Sequence, residues 1–208
     1  MLDSHRLLGI TLLLTLGCGD EAARVDWVDS GAHERPTSNV VRWVGAVEET
    51  DVRVAAIVGA GKARLYFCGG ADLTATRWFD IPFNSEHLEY KDDTWRIHAH
   101  LTSGGVLGEV ERASEGVRTF NAHAFERGTI AGLYEGKADC GRLGLIVTQP
   151  TQNDGPIAQG ACLAADGRAV QQVNAIEPIA LQDGKIMVRT PGGGDAISLL
   201  QVATLEPL

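Results

Sequence analysis

Two histidines spaced two residues apart are the side chains in this sequence most suited to metal chemistry. His98 and His100 lie in TWRIHAHL, residues 94–101, which alternates apolar and polar residues as a half-buried strand does. Alternate side chains of a strand project from the same face, so both imidazoles are offered to one side. Zinc needs three or four ligands at about 2 Å, and His123 is the predicted third. The other interpretation is two solvated histidines on the wet face of a strand.

Acidic side chains near these histidines have two possible roles. Glu109 or Glu111 could supply a carboxylate ligand to the same metal. A second acidic group surrounds Tyr90 and consists of Glu86, Glu89, Asp92 and Asp93. We expect this second group to be a solvated edge or loop, since charges there discourage pairing with other chains.

The four cysteines are predicted to be in different covalent states. If Cys18 carries lipid, Cys68, Cys140 and Cys162 remain, which leaves one disulfide and one thiol in an oxidising compartment. Cys140 and Cys162 flank the predicted strand 143–148 and are the favoured pair. A bridge from Cys68 to either of them, or no bridge, stays open. Cys68 precedes two glycines and is a conceivable nucleophile, but a small buried residue at a strand end is the preferred interpretation.

The N-terminus predicts export and lipid anchoring. Residues 7–16 are apolar, and ten helical residues span about 15 Å, which is half of a bilayer core. This length suits the apolar region of a signal peptide. The following LTLGC, ending at Cys18, resembles a bacterial lipobox, although Thr15 replaces the commoner aliphatic residue. We therefore expect a lipoprotein signal peptide over 1–17, a lipidated polar tether over 18–39, and a location in the cell envelope. A buried helix, or a secretory peptide cleaved elsewhere, is the alternative.

Residues 40–208 predict a β-rich domain. Short apolar runs recur about every ten residues between glycine, aspartate and asparagine, and no window of twelve residues or more has helical periodicity. Residues 51–58 and 63–68 predict a hairpin, and 72–79 has room for one helical turn. The fold class is all-β, an antiparallel meander that forms a barrel or a sandwich. One domain is expected, with a split near Pro150 as the alternative.

Residues 45–136 carry a pattern of glycines and aromatic residues that accompanies these strands. The segments are Tyr-x-Cys-x-Gly from Tyr66, Trp78-Phe79, Gly-x-Leu-Gly-x-Val from Gly105, Phe-x-Ala from Phe120, and Ala-Gly-Leu-Tyr from Ala131. The pattern resembles a loose group of secreted bacterial β-rich proteins of unknown function. The resemblance implies an antiparallel β meander and carries no activity.

Charge and missing motifs limit the function classes. The net charge is −9, from 27 acidic and 18 basic residues, which disfavours nucleic acid as a partner. The sequence contains no GxSxG or HExxH motif and no complete phosphate loop. We expect a non-enzymatic binding or structural role without a cofactor, with the membrane as partner through the lipid. A small-ligand β-barrel, or a metal-binding protein that uses zinc at the His-x-His strand, is the alternative.

Overall fold

The described part of the chain is all-β, as predicted. The computed structural model describes residues 40–59, 61–83, 87–113, 115–126, 128–149, 154–191, 194–203 and 205. They fall in one compact unit that begins at Pro36. The predicted signal peptide and tether, with Cys18, lie outside the described residues. Of the residues described, none lies in a helix long and apolar enough to cross a bilayer.

Eight strands from the first half of the domain form one antiparallel sheet. They are β1 (Val41–Val47), β2 (Arg53–Gly59), β3 (Lys62–Cys68), β4 (Arg77–Pro82), β5 (His87–Lys91), β6 (Trp95–Leu101), β7 (Gly105–Arg112) and β8 (Gly116–Ala124). Their order across the sheet is β4-β3-β2-β1-β8-β7-β6-β5, and the sheet curls into a nearly closed barrel. The predicted hairpin is confirmed as β2 and β3, where Gly59 pairs with Lys62 and Gly61 has a φ of 74°.

Alternation along each strand fills the interior of this sheet with apolar side chains. In β6, Trp95, Ile97 and Ala99 are buried, while Arg96 and His98 on the opposite face are exposed. The same pattern in the other strands gives an interior that is rich in aromatic rings, with Phe67, Phe79, Trp95 and Phe120 in mutual contact. The solvent-exposed face of β6 therefore lies on the outside of the sheet.

The end strands β4 and β5 meet along a seam that side chains bridge. The two strands stand at opposite ends of the sheet order, and ladder hydrogen bonds between them are absent from the described residues. Arg77 of β4 spans the gap, because its guanidinium lies 2.8 Å from Asp92 and donates to the Tyr90 hydroxyl at 3.0 Å. The helical turn predicted over 72–79 is correct only for a short 3₁₀ helix, Leu73–Ala75.

The remaining six strands close into a second barrel. They are β9 (Gly132–Ala138), β10 (Gly141–Thr148), β11 (Ile157–Leu163), β12 (Ala169–Ala175), β13 (Lys185–Arg189) and β14 (Ile197–Gln201). The order is β10-β11-β12-β13-β14-β9, and the last strand pairs back with the first through Leu200 and Glu135. Both sheets are antiparallel, so the predicted meander is correct. It forms one nearly closed barrel and one closed barrel.

The predicted disulfide is confirmed in the second barrel. Cys140 and Cys162 are bonded across a sequence separation of 22 residues, and Cys68 is a free, buried thiol. Closing a loop of this length stabilises the folded chain by about 3 kcal/mol in the chain-entropy model.

An apolar layer joins the two barrels. It contains the outward faces of β1, β2 and β3, including Ile57 and Tyr66, and the facing side of the six-stranded barrel, including Leu133 and Ile146. The Tyr66 ring stacks on Trp78 with centroids 4.3 Å apart, and its hydroxyl donates to the Gly144 carbonyl at 3.3 Å. Gly144 leaves room for these rings, because a Cβ there would lie 2.7 Å from Tyr66.

Candidate metal site

Three histidines converge on the outer face of β5 and β6. His87 opens β5 and lies directly opposite His100 of β6, and Glu89 lies opposite His98 in the same register. Directly opposite residues have Cβ atoms about 5 Å apart, so both cross-strand pairs are within side-chain contact. His98 is exposed, and His87 and His100 are half-buried.

The ring nitrogens of these histidines are close enough to share one ion. His87, His98 and His100 each offer a ligand atom, and the three atoms lie within 4.8 Å of one another. The ring centroids are 4.3 Å apart for His87 and His100, 4.8 Å for His98 and His100, and 6.0 Å for His87 and His98.

Small side-chain movements would complete a coordination sphere. Nitrogen ligands of a tetrahedral zinc site stand about 3.3 Å from each other, since each Zn–N bond is about 2.0 Å. The three atoms within 4.8 Å therefore need to close by roughly 1.5 Å, which rotation about the side-chain bonds of an exposed histidine supplies. Imidazole nitrogen suits zinc, copper and nickel, whereas magnesium and calcium prefer oxygen ligands.

Carboxylates flank His98 from both neighbouring strands. Glu89 places Oε1 3.8 Å from Nε2 of His98, and 76% of the Glu89 side chain is exposed. Glu109 lies opposite His98 on β7. Glu111, the other carboxylate predicted as a ligand, instead pairs with Arg96 at 2.9 Å.

The histidine that lies beside His98 and His100 is His87, and not His123 as predicted. His123 is an exposed residue of β8 that pairs with Gly105 and Val44, and it is not part of the three-histidine group. His87 lies beside His98 and His100 because β5 pairs directly with β6. The sequence did not predict β5 as a strand, since the acidic residues around Tyr90 indicated a loop or an edge. The alternation in His87-Leu88-Glu89, with Leu88 fully buried, is the signal that identifies this strand.

The acidic group around Tyr90 is only partly the solvated edge that was predicted. Asp93 is exposed, and Glu86 lies outside the described residues. Asp92 is instead held by hydrogen bonds from the backbone amides of Thr94 and Trp95, at 2.8 and 2.7 Å. Burial alone raises the pKa of Asp92, but these amide bonds, with Tyr90 and Arg77, reverse the effect and lower it to about 2.

The geometry does not support Cys68 as a nucleophile. Its side chain is fully buried in the layer between the barrels. Burial raises the pKa of the thiol to about 11, against the smaller effect of hydrogen bonds from Tyr66 and Thr76. The thiolate is the reactive species, so Cys68 is inert at neutral pH.

A groove of about 980 Å³ between the barrels is lined by several arginines. Each of them is neutralised by a carboxylate close by: Arg77 by Asp92 at 2.8 Å, Arg142 by Glu135 at 2.6 Å, and Arg168 by Asp166 at 2.7 Å. None of these three guanidinium groups is therefore left unpaired to bind an anion in the groove. The histidine group is the stronger candidate for a binding site.

Comparisons with known proteins add no function to this geometry. Searches of protein-family models, of curated proteins and of solved structures each find no match to the chain. The candidate metal site therefore rests on its own residues: three imidazoles held by two paired strands.

Proposed function

We propose that this protein is an exported, lipid-anchored protein of the bacterial cell envelope whose β domain binds a divalent transition metal. The observation that carries the binding role is the group of His87, His98 and His100, whose ligand atoms lie within 4.8 Å of one another. The role is binding rather than catalysis, because the group lies on an open sheet face and not in a substrate cleft.

The lipid anchor and the disulfide support the envelope location. Cys18 ends an apolar segment and precedes a polar tether, as in bacterial lipoproteins. The Cys140–Cys162 bond suits an oxidising compartment, where such bonds persist. The resemblance of residues 45–136 to secreted bacterial β proteins is consistent with the same location.

Two paired strands set the positions of the imidazoles, which favours a shared metal over chance proximity. The backbone register, not flexible loops, sets the spacing of His87 and His100. Ligands that are already held close lose little conformational freedom on binding.

The small-ligand barrel is the less supported alternative. Inside the eight-stranded sheet, the rings of Phe67, Phe79, Trp95 and Phe120 contact one another at centroid distances between 5.2 and 5.8 Å. A cavity at one end of this interior has a volume of about 20 Å³, enough for about one water molecule.

Metal affinity of the purified full chain tests the proposal. Zn²⁺, Cu²⁺ and Ni²⁺ would each be titrated in competition with a chromophoric chelator, for the wild type and for His98→Ala. We expect His98→Ala to weaken binding roughly a hundredfold, which is about 2.8 kcal/mol, because one of three imidazoles is lost.

His123→Ala is the matched control, since it removes an exposed histidine outside the group. It should bind metal as the wild type does. A wild-type chain that binds none of the three ions, or a His98→Ala chain that binds like wild type, contradicts the proposal.

A further inference from the structure

We propose that Glu89 is the fourth protein ligand of the metal, in a closed site with three nitrogens and one oxygen. This inference rests on the proposed three-histidine site and decides what kind of site it is. Structural and storage zinc sites have four protein ligands, whereas catalytic sites leave one position for water or substrate.

The four side chains occupy the corners of a small rectangle on the sheet. His87 and Glu89 alternate along β5, and His100 and His98 alternate along β6 as their direct partners. Strands lie about 4.8 Å apart and alternate residues about 6.8 Å, so the centre is about 4 Å from each corner along the sheet. The three histidines already place their ligand atoms within 4.8 Å of one another, and rotation of the exposed Glu89 side chain would bring its carboxylate to the same ion.

The contact between Glu89 and His98 already approaches coordination geometry. Their Oε1 and Nε2 atoms are 3.8 Å apart, and two ligands of a tetrahedral zinc stand about 3.4 Å apart. At 3.8 Å the pair is also too long for a hydrogen bond, so this separation does not reflect an orienting bond from the ring to the carboxylate.

Position separates Glu89 from the other carboxylate beside His98. Glu109 stands on β7, on the far side of His98 from β5. It is two strand spacings, about 9.6 Å, from the β5 line that carries His87. Glu109 thus lies outside the rectangle and cannot meet the same ion together with His87 and His100.

The donor set indicates which ions the site accepts. Three neutral imidazoles and one carboxylate leave a bound dication with one net positive charge on an exposed surface. This mixed set of nitrogen and oxygen ligands suits Zn²⁺ and Cu²⁺. It contains no thiolate or thioether, the ligands that select Cu⁺. Four protein ligands also leave no position for a substrate, in agreement with a binding role.

The test measures Zn²⁺ affinity and the visible spectrum of bound Co²⁺ in the full chain. Co²⁺ is the probe because its absorption reports coordination number and ligand type. Glu89→Gln keeps the shape of the side chain and removes its charge, so we expect roughly tenfold or greater loss of Zn²⁺ affinity and a changed Co²⁺ spectrum. Glu109→Gln, the matched control beside the same histidine, should leave both unchanged.

The outcomes separate this inference from the proposed function. If the wild type binds and His98→Ala binds much more weakly, but Glu89→Gln behaves like wild type, the fourth ligand is wrong and the three-histidine site stands. Loss of affinity with an unchanged Co²⁺ spectrum also overturns the ligand role. If the wild type binds neither Zn²⁺ nor Co²⁺, the four-ligand site is wrong. If it binds neither Cu²⁺ nor Ni²⁺ as well, the proposed function is also wrong.

Discussion

At the scale of single residues, Asp92 has the best-defined role in stability. It accepts hydrogen bonds from the amides of Thr94 and Trp95 and from the Tyr90 hydroxyl, and it pairs with Arg77 across the seam. Only the ionised carboxylate can accept all of these bonds. Asp92 therefore stabilises both the turn between β5 and β6 and the contact between the end strands.

This role predicts a pH dependence of stability. The folded pKa of Asp92 is lowered to about 2 from its ordinary 3.8, so its contribution is complete above about pH 4 and is lost as the pH falls toward 2. Asp92→Asn should lower the free energy of unfolding by about 1–2 kcal/mol at pH 6. The difference from wild type should shrink at pH 2.5.

Urea denaturation of both proteins at the two pH values is the measurement. Asp93→Asn is the control, because Asp93 is the exposed neighbour in the same turn. A stability difference for Asp92→Asn that is equal at pH 6 and pH 2.5 would show that the charge plays no part.

Residue types predicted the His-x-His face but only part of the candidate site. The alternation of TWRIHAHL placed His98 and His100 together, because a strand has a period of two residues. Which other histidine joins them depends on strand neighbours. His87 lies in the strand next to β6, whereas His123 lies two strands away on β8, and local periodicity contains no information on that order.

At the scale of elements, the contact between β10 and the strands β3 and β4 depends on one glycine. A Cβ at Gly144 would lie 2.7 Å from the Tyr66 ring and 2.9 Å from the Trp78 ring. These rings are stacked on each other and cannot both retreat. Arg142 confines Trp78 further, since its guanidinium lies 3.9 Å from the ring centroid.

Gly144→Ala should destabilise the protein by roughly 1–3 kcal/mol, the usual cost of overpacking a filled core. Thermal and urea unfolding would measure this, together with near-ultraviolet circular dichroism of the aromatic layer. Gly104→Ala is the matched control, as nothing lies within 4 Å of the Cβ position there. Equal stability of the two variants would mean that the side chains between the barrels can shift to accommodate a methyl group at little cost.

Element types were easier to predict than their arrangement. Alternation identified β2, β3 and β6, but β5 was hidden by its acidic neighbours and β4 by a weak helical signal. The division into two barrels was not predicted, because it depends on strand pairs such as Trp43 of β1 with Ala124 of β8, which are far apart in sequence. No local pattern specifies such a partner.

At the scale of the whole molecule, the proposed anchor predicts how the mature chain is attached. Mass spectrometry of the protein from bacterial membranes should find a first residue, Cys18, that carries acyl chains. Each buried CH₂ group contributes about 0.8 kcal/mol to membrane binding, so two or three chains hold the protein firmly. Cys18→Ser should move the protein out of the membrane fraction.

Cys68→Ala is the control for this experiment, since it removes a cysteine that is buried within the β domain. It should leave the protein in the membrane fraction. A Cys18→Ser protein that stays in the membrane with an unmodified N-terminus would show that anchoring does not depend on that residue.

The two barrels follow one another along the chain without exchanging strands, and this has a consequence for the order of folding. Strands β1 to β8 are all available before β9, so a chain supplied from its N-terminus can complete the first sheet while the second barrel is still missing. In that interval the outward apolar side chains of β1 to β3, such as Ile57 and Tyr66, have nothing to cover them. We therefore expect truncations after residue 124 to aggregate. We also expect a chaperone to help most during the interval before β9 to β14 have been supplied.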